Sequence, residues 1–213
     1  MRSDHRQYVK EALIGQRIVA VLRGDCPEDV YNRARVLLDA GIRAIEVTLT
    51  VPEAERIIRQ LVSEGEGLIG AGSLRTAGDV DRCVGAGARF VVSAAFLPAV
   101  IERAVKAQAT VIPGCFTPTE VLGAWQLGGD MVKVFPASRL GAAFLKDLHG
   151  PFPEIPLVPT GGISAENAVD FLRSGAVALG VGSWLTKGNT EEIRQRAVEL
   201  RARIDNFLGG SND

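Results

Sequence analysis

Short apolar runs recur along the chain with amphipathic stretches between them, and the alternation repeats eight times without a linker or low-complexity break. Runs of four to six residues predict strands at 18–22, 44–49, 68–72, 90–93, 110–113, 131–135, 157–160 and 178–181. Near-continuous apolar runs of this kind belong to strands covered on both faces. Helix starts are signalled by Pro27-Glu28-Asp29, by Pro52-Glu53-Ala54-Glu55 and by Thr117-Pro118-Thr119-Glu120, which has capping-box spacing. Ser164-Ala165-Glu166-Asn167 opens a further helix. Gly41, Gly87, Gly128 and Gly175 stand where helices end in a left-handed residue. Residues 1–15 read as a capped amphipathic helix, with Ser3 at its start and Tyr8, Val9, Ala12 and Leu13 on its apolar face. Residues 189–213 form a closing helix and tail.

Repeated strand–helix units imply a parallel α/β sheet with right-handed crossovers. An open doubly wound sheet can also use eight strands. The strand count, the even spacing and a length of 213 residues favour a single-domain (β/α)8 TIM barrel over 16–188, with an extra N-terminal helix. Catalytic groups in such barrels gather at the C-terminal ends of the strands. Polar residues occur at those ends here: Arg23, Glu46, Thr48, Ser73, Ser93, Lys133, Thr160, the Gly161-Gly162 turn and Gly182-Ser183.

Composition narrows the ligand class. Lys and Arg number 24 against 25 Asp and Glu, for a formal charge of −1, and no block of like charge stands out. Nucleic acid and anionic membranes are therefore not expected partners, and an anionic ligand must be held by local donors. Residues 1–15 lack the apolar core of a signal peptide, and no run approaches membrane-spanning length. Cys26, Cys83 and Cys115 are odd in number and widely spaced, as expected of free thiols in a reducing cytoplasm. His5 and His149 lie near no Cys/His cluster, so no dedicated transition-metal site is expected, and Schiff-base chemistry on a lysine would need no cofactor.

Lys133 is the most informative residue. It stands in Met131-Val132-Lys133-Val134-Phe135-Pro136, on the same strand face as Met131 and Phe135. A buried ammonium is costly unless it is paired or neutralised, and an unprotonated lysine is a nucleophile suited to Schiff-base chemistry. Glu46, flanked on its face by Ala44 and Thr48, supplies a carboxylate inside the same fold. The two residues form either a structural ion pair or a nucleophile with its general acid/base; their shared place in the fold favours the second.

Two glycine turns follow adjacent strands: Pro159-Thr160-Gly161-Gly162-Ile163-Ser164 and Gly180-Val181-Gly182-Ser183-Trp184. Backbone N–H groups in such turns beside helix starts bind phosphate, and this position recurs as a phosphate site in (β/α)8 enzymes. Arg23 is a candidate for gripping a carboxylate in bidentate fashion, and Ser73 offers a hydroxyl. Thr48 and Thr160 are candidates for holding a water or a substrate hydroxyl, and Phe135 for walling the pocket. Cys115, Trp125 and Trp184 read as packing residues, and the Glu191-Glu192…Arg194…Arg196 segment as a solvated helix face.

Seven motifs then carry a resemblance. In chain order they are Ile18–Arg23, Ile45-Glu46-Val47-Thr48, Gly70-Ala71-Gly72-Ser73, Pro113–Glu120, Val132–Pro136, Pro159–Ile163 and Gly180–Ser183. Over residues 16–188 the sequence closely resembles the class I 2-keto-3-deoxy-6-phosphogluconate (KDPG) aldolases, including the bifunctional 4-hydroxy-2-oxoglutarate (KHG) aldolases. The resemblance implies a homotrimeric (β/α)8 lyase of the Entner–Doudoroff route that cleaves 2-dehydro-3-deoxy-6-phosphogluconate to pyruvate and glyceraldehyde 3-phosphate. It implies Lys133 as the Schiff-base lysine, Glu46 as the acid/base, and Gly161, Gly162, Gly182 and Ser183 as the phosphate site.

Three positions depart from the family pattern. Thr50 stands where many relatives carry arginine, Ser73 where threonine is usual, and Ala94 where proline follows the serine. These leave the reaction type standing and open the choice of substrate. The galactonate epimer or 4-hydroxy-2-oxoglutarate keeps every residue role. A phosphosugar epimerase or isomerase, or a non-catalytic phosphosugar-binding protein, remains as the rival without a covalent lysine.

Overall fold

Each apolar run becomes a short strand, and every ladder between strands is parallel. The computed structural model describes residues 3–210. Among them the strands are β1 (Ile18–Leu22), β2 (Ala44–Thr48), β3 (Leu68–Leu74), β4 (Phe90–Ser93), β5 (Thr110–Ile112), β6 (Gly114–Cys115), β7 (Val132–Val134), β8 (Leu157–Pro159) and β9 (Leu179–Val181). The helices are α1 (Ser3–Gln16), α2 (Pro27–Asp39), α3 (Ala54–Glu64), α4 (Ala77–Gly85), α5 (Pro98–Lys106), α6 (Pro118–Gln126), α7 (Ala137–His149), α8 (Ala168–Arg173), α9 (Ser183–Thr186) and α10 (Thr190–Gly209). The result is an α/β fold with a curled parallel sheet.

The hydrogen-bonded ladders form a six-stranded sheet, β5-β4-β3-β2-β1-β9, and a three-stranded sheet, β6-β7-β8. The fifth expected strand, 110–113, ends at Ile112 in the larger sheet, and the short β6 that follows it belongs to the smaller one. Pro113 lies between β5 and β6 and has no N–H to give to a ladder. On the other side, isolated parallel bridges join Leu157 to Ala176 and Thr160 to Gly180.

Two apolar clusters hold the sheet from its two faces. The outer one packs strands against helices. The inner one combines Val19, Ala44, Phe90, Val92, Ile112, Met131, Val158 and Ala178 from the strands with Val9 and Leu13 of α1. Val9 and Leu13 are fully buried, each worth roughly 1.5–3 kcal/mol, whereas Tyr8 of the expected apolar face is 66% exposed. Arg6 fastens the same helix by an ion pair to Asp130 at 2.7 Å and by donating to the Gly128 carbonyl. Helix α1 thus plugs one end of the inner space, and the polar residues collect at the other. The side chain of Ser3, and residues 1–2 and 211–213 of the expected terminal segments, lie outside what is described.

The start signals hold for three helices and fail for the fourth. Thr117 and Glu120 form a reciprocal capping box at α6, α2 begins at Pro27, and α3 begins at Ala54. Helix α8 begins at Ala168, not at Ser164. Its supposed opening is a side-chain-closed turn, in which Ser164 N donates to Asn167 Oδ1 and Asn167 Nδ2 donates to the Gly162 carbonyl. That turn ties down the glycine loop instead of starting a helix. Gly41, Gly87, Gly128 and Gly175 all adopt the left-handed conformation expected at helix ends.

Candidate active site

Strand alternation puts Glu46 and Lys133 inside the curl, at the end opposite α1. Both side chains are 3% exposed, and Lys133 Nζ lies 4.0 Å from Glu46 Oε1. That is beyond hydrogen-bond range. Glu46 Oε1 is fully buried and has no hydrogen-bond partner among the described residues. A buried polar atom left unpaired costs about 1–3 kcal/mol, and such atoms concentrate where chemistry is done. The Lys133 ammonium also lies 5.2 Å from the centroid of the Phe135 ring, which places Phe135 beside it as expected.

The seat of Glu46 is carved by a missing side chain. Gly72 pairs with Thr48 in the β2–β3 ladder, and a Cβ at Gly72 would overlap Glu46 Oε1. Just beyond, the β3–β4 register slips: Ala71 pairs with Val91, but Leu74 pairs with Ser93, so β3 carries one extra residue. Ser73 takes up the bulge with φ 62°, a left-handed value for a residue with a side chain. The bulge turns Ser73 toward Arg23, whose Nη1 donates to Ser73 Oγ at 3.4 Å. The sequence marks Gly70–Ser73 as a motif without revealing either role.

Two cavities share Arg23 on their walls, and one of them also has Phe135, the neighbour of Lys133. One of about 180 Å³ is lined by Arg23, Phe135, Thr160, Gly161, Gly162, Gly182, Ser183 and Trp184. All four expected phosphate residues meet there. Gly182 is the N-cap of α9, whereas no helix begins directly after Gly162. Gly180 makes room for Thr160, because a Cβ there would overlap Thr160 Oγ1. Trp184, read from the sequence as packing, also lines this cavity. The second cavity, of about 470 Å³, is lined by Arg23, Thr50, Ser73, Arg75, Ala94 and neighbouring apolar residues. Arg23 therefore faces both cavities, and its expected carboxylate role is not the only one open to it.

Thr48 is fully buried. Its Oγ1 donates to the Leu22 carbonyl at 3.0 Å and lies 2.8 Å from Thr50 Oγ1. With its proton committed to the backbone, Thr48 retains only acceptor capacity toward a ligand. Ser93 Oγ donates to the Ala95 carbonyl and accepts from Gly114 N, which fixes the loop that carries Ala94. Burial pushes the Cys83 and Cys115 thiols up to about 12, so both remain protonated and inert near neutral pH.

An amine and a carboxylate buried together in the strands of a curled parallel sheet define an α/β class with a lysine-centred site. The family model for KDPG and KHG aldolase matches residues 9–199, and the chain belongs to that family. A Rhizobium meliloti (strain 1021) protein named "Probable 2-dehydro-3-deoxy-6-phosphogalactonate aldolase" is 35% identical over 198 residues, 91% of this chain and 93% of that protein. The 2-dehydro-3-deoxy-phosphogluconate aldolase of Treponema pallidum (strain Nichols) is 36% identical over 179 residues, 82% and 84% of the two chains. KDPG aldolase from Legionella pneumophila, solved with pyruvate captured at low pH as a covalent carbinolamine intermediate, has a TM-score of 0.83 at 29% identity, covering 90% of this chain and 97% of that one.

Proposed function

We propose that this protein is a class I, Schiff-base aldolase that cleaves 2-dehydro-3-deoxy-6-phosphogluconate to pyruvate and glyceraldehyde 3-phosphate. The same site would take 4-hydroxy-2-oxoglutarate to pyruvate and glyoxylate. The observation that carries this reading is the buried Lys133–Glu46 pair, held 4.0 Å apart with one carboxylate oxygen unpartnered. A structural ion pair would close to hydrogen-bond distance; this one stays open at 4.0 Å.

In the proposed reaction Lys133 Nζ adds to the C2 ketone. Glu46 shuttles the protons by which the carbinolamine loses water to give a protonated imine. The Glu46 carboxylate then takes the C4-hydroxyl proton as the C3–C4 bond breaks. The bond's electron pair moves into the imine, forming an enamine and releasing the aldehyde. Protonation at C3 and hydrolysis return Lys133 and free pyruvate. The 180 Å³ cavity, with the amides of Gly161, Gly162, Gly182 and Ser183, would take the phosphate, while Thr160, whose hydroxyl donates to the Val158 carbonyl, would accept from a water or substrate hydroxyl. Arg23 and Ser73 would hold the carboxylate end, Phe135 would wall the lysine, and Thr48 would accept from a water or substrate hydroxyl. No cofactor enters this scheme.

We also read the two sheets as one closed (β/α)8 barrel in a single domain. The Pro113 break within one extended segment and the Thr160–Gly180 bridge support that closure. The homotrimer and the Entner–Doudoroff role rest on the family resemblance, and three unpaired cysteines accord with a cytoplasmic setting.

A second reading has a specific observation behind it. The Rhizobium meliloti relative carries a galactonate name at 35% identity over 91% of this chain, so the C4 epimer is the competing substrate. Coupling pyruvate release to lactate dehydrogenase on the gluconate, galactonate and hydroxyoxoglutarate substrates ranks the three by kcat/KM. Turnover of none of them contradicts the aldolase reading.

A further inference from the structure

We propose that Arg75 is a substrate-binding residue of this protein and that its guanidinium joins that of Arg23 in holding the substrate's carboxylate. The inference rests on the aldolase reading for the identity of the anion, but its evidence is the charge balance around one cavity. The cavity of about 470 Å³ is lined by two guanidinium groups, Arg23 and Arg75, and two hydroxyls, Thr50 and Ser73, with no carboxylate on its wall.

The nearby acid is already engaged. Asp79 and Arg82 line an adjoining cavity together with Arg75. Asp79 Oδ1 accepts from Arg82 Nη2 at 2.6 Å, and Asp79 Oδ2 accepts the backbone N–H groups of Arg75 and Thr76 at 2.8 and 2.9 Å. Partial burial is the largest influence and raises the Asp79 carboxyl, but the bonds from Arg75, Thr76 and Arg82 together outweigh it and hold Asp79 below its usual range. Asp79 therefore anchors the backbone of Arg75 while leaving its side chain free. Among the described residues the Arg75 guanidinium makes no hydrogen bond or ion pair, and that of Arg23 makes only the 3.4 Å contact to Ser73 Oγ.

The strand geometry aims both groups. Ser73, left-handed at φ 62° in the bulge, and Arg75, two residues on and so on the same side of an extended run, line one cavity. Thr50, hydrogen-bonded to Thr48, contributes a hydroxyl and no charge. Two unneutralised guanidiniums and a serine hydroxyl suit a planar carboxylate, for which arginine offers paired N–H donors. The phosphate has its own donors in the smaller cavity, so Arg75 bears on one end of the substrate only.

The test is calorimetric binding of two probes, pyruvate and inorganic phosphate, to the full-length protein and to Arg75→Gln, Arg75→Lys and Arg59→Gln. Arg59 is an exposed arginine of α3 away from the site, and its variant controls for net charge. Arg75→Gln is expected to weaken pyruvate about tenfold and leave phosphate within about twofold. Arg75→Lys should recover most of the loss, and Arg59→Gln should match the parent protein. Unchanged pyruvate affinity in Arg75→Gln, an equal loss in Arg59→Gln, or a loss confined to phosphate overturns the assignment. Thermal melts of each variant identify any that fail to fold, and Arg75→Lys then carries the comparison. Substrate cleavage is read separately, so a protein that binds pyruvate through Arg75 yet cleaves nothing counts against the aldolase reading alone.

Discussion

The carboxylate of Glu46 occupies the volume that a side chain at Gly72 would fill. The proposed general acid/base is thus positioned by an absence on the neighbouring strand. Gly72→Ala forces Glu46 Oε1 out of its seat while leaving both residues in the chain. A displacement of the order of 1 Å costs about 10²-fold in a well-oriented reaction. The expected result is a fall of roughly that size in kcat, with phosphate affinity unchanged, measured by pyruvate release and calorimetry. A variant with parental kcat contradicts the positioning role.

Separating the two members of the pair tests chemistry against structure. Glu46→Gln keeps the shape and removes the proton acceptor, so kcat should fall about 10²–10⁴-fold with little change in melting temperature. Lys133→Met should reduce cleavage to background. It also leaves the Glu46 carboxylate buried without a counter-charge, which is expected to cost about 3–5 kcal/mol in denaturant unfolding. The double variant Lys133→Met/Glu46→Leu should recover that stability but no activity. A double variant less stable than Lys133→Met would show that the pair is there to hold the fold.

The phosphate assignment predicts a split between the two ends of the substrate. Ser183→Ala removes a hydroxyl from the 180 Å³ cavity and is expected to raise KM for the phosphorylated substrate about tenfold. Saturation by 4-hydroxy-2-oxoglutarate, which has no phosphate, should stay within about twofold. Equal effects on both substrates would move the phosphate elsewhere.

Stability should fall in acid through the capping box of α6. Backbone N–H donation from Phe116 and then Thr117 holds the Glu120 carboxyl below its usual range. A carboxyl depressed in the folded state contributes stability that is present above its unfolded value and lost as pH falls through the folded one. Comparing melting temperatures of the parent and Glu120→Gln from about pH 6 to about pH 3, the parent's advantage should shrink toward zero at the acid end. An advantage that grows on acidification contradicts the assignment.

The contrast between what the sequence discloses and what it conceals follows from the range of the interactions involved. Strand runs and left-handed glycine ends depend on local periodicity, and Ile18–Leu22, Phe90–Ser93 and the Thr117–Glu120 box match their expected positions. Lys133 and Glu46 were legible because a charge in an apolar run is anomalous wherever it occurs. The bulge at Ser73 was not legible, since one extra residue in β3 shows only against its partner β4. The same holds for Gly72 and Gly180, whose roles are defined by side chains on other strands. Arg75 looked like any surface arginine until the engagement of Asp79 was visible. Ser164–Asn167 misled because an Asx-closed turn and a helix start use the same residue types.

The central claim is that Lys133 is the covalent nucleophile. Mass spectrometry after incubation with pyruvate and sodium borohydride, with Lys133→Ala as control, tests it most directly. The account predicts a single reduced pyruvate adduct whose peptide maps to Lys133 and which is absent from the control. A folded parent protein that gains no adduct, or gains it equally in Lys133→Ala, contradicts the account and returns the site to a phosphosugar isomerase or binding protein without a covalent lysine.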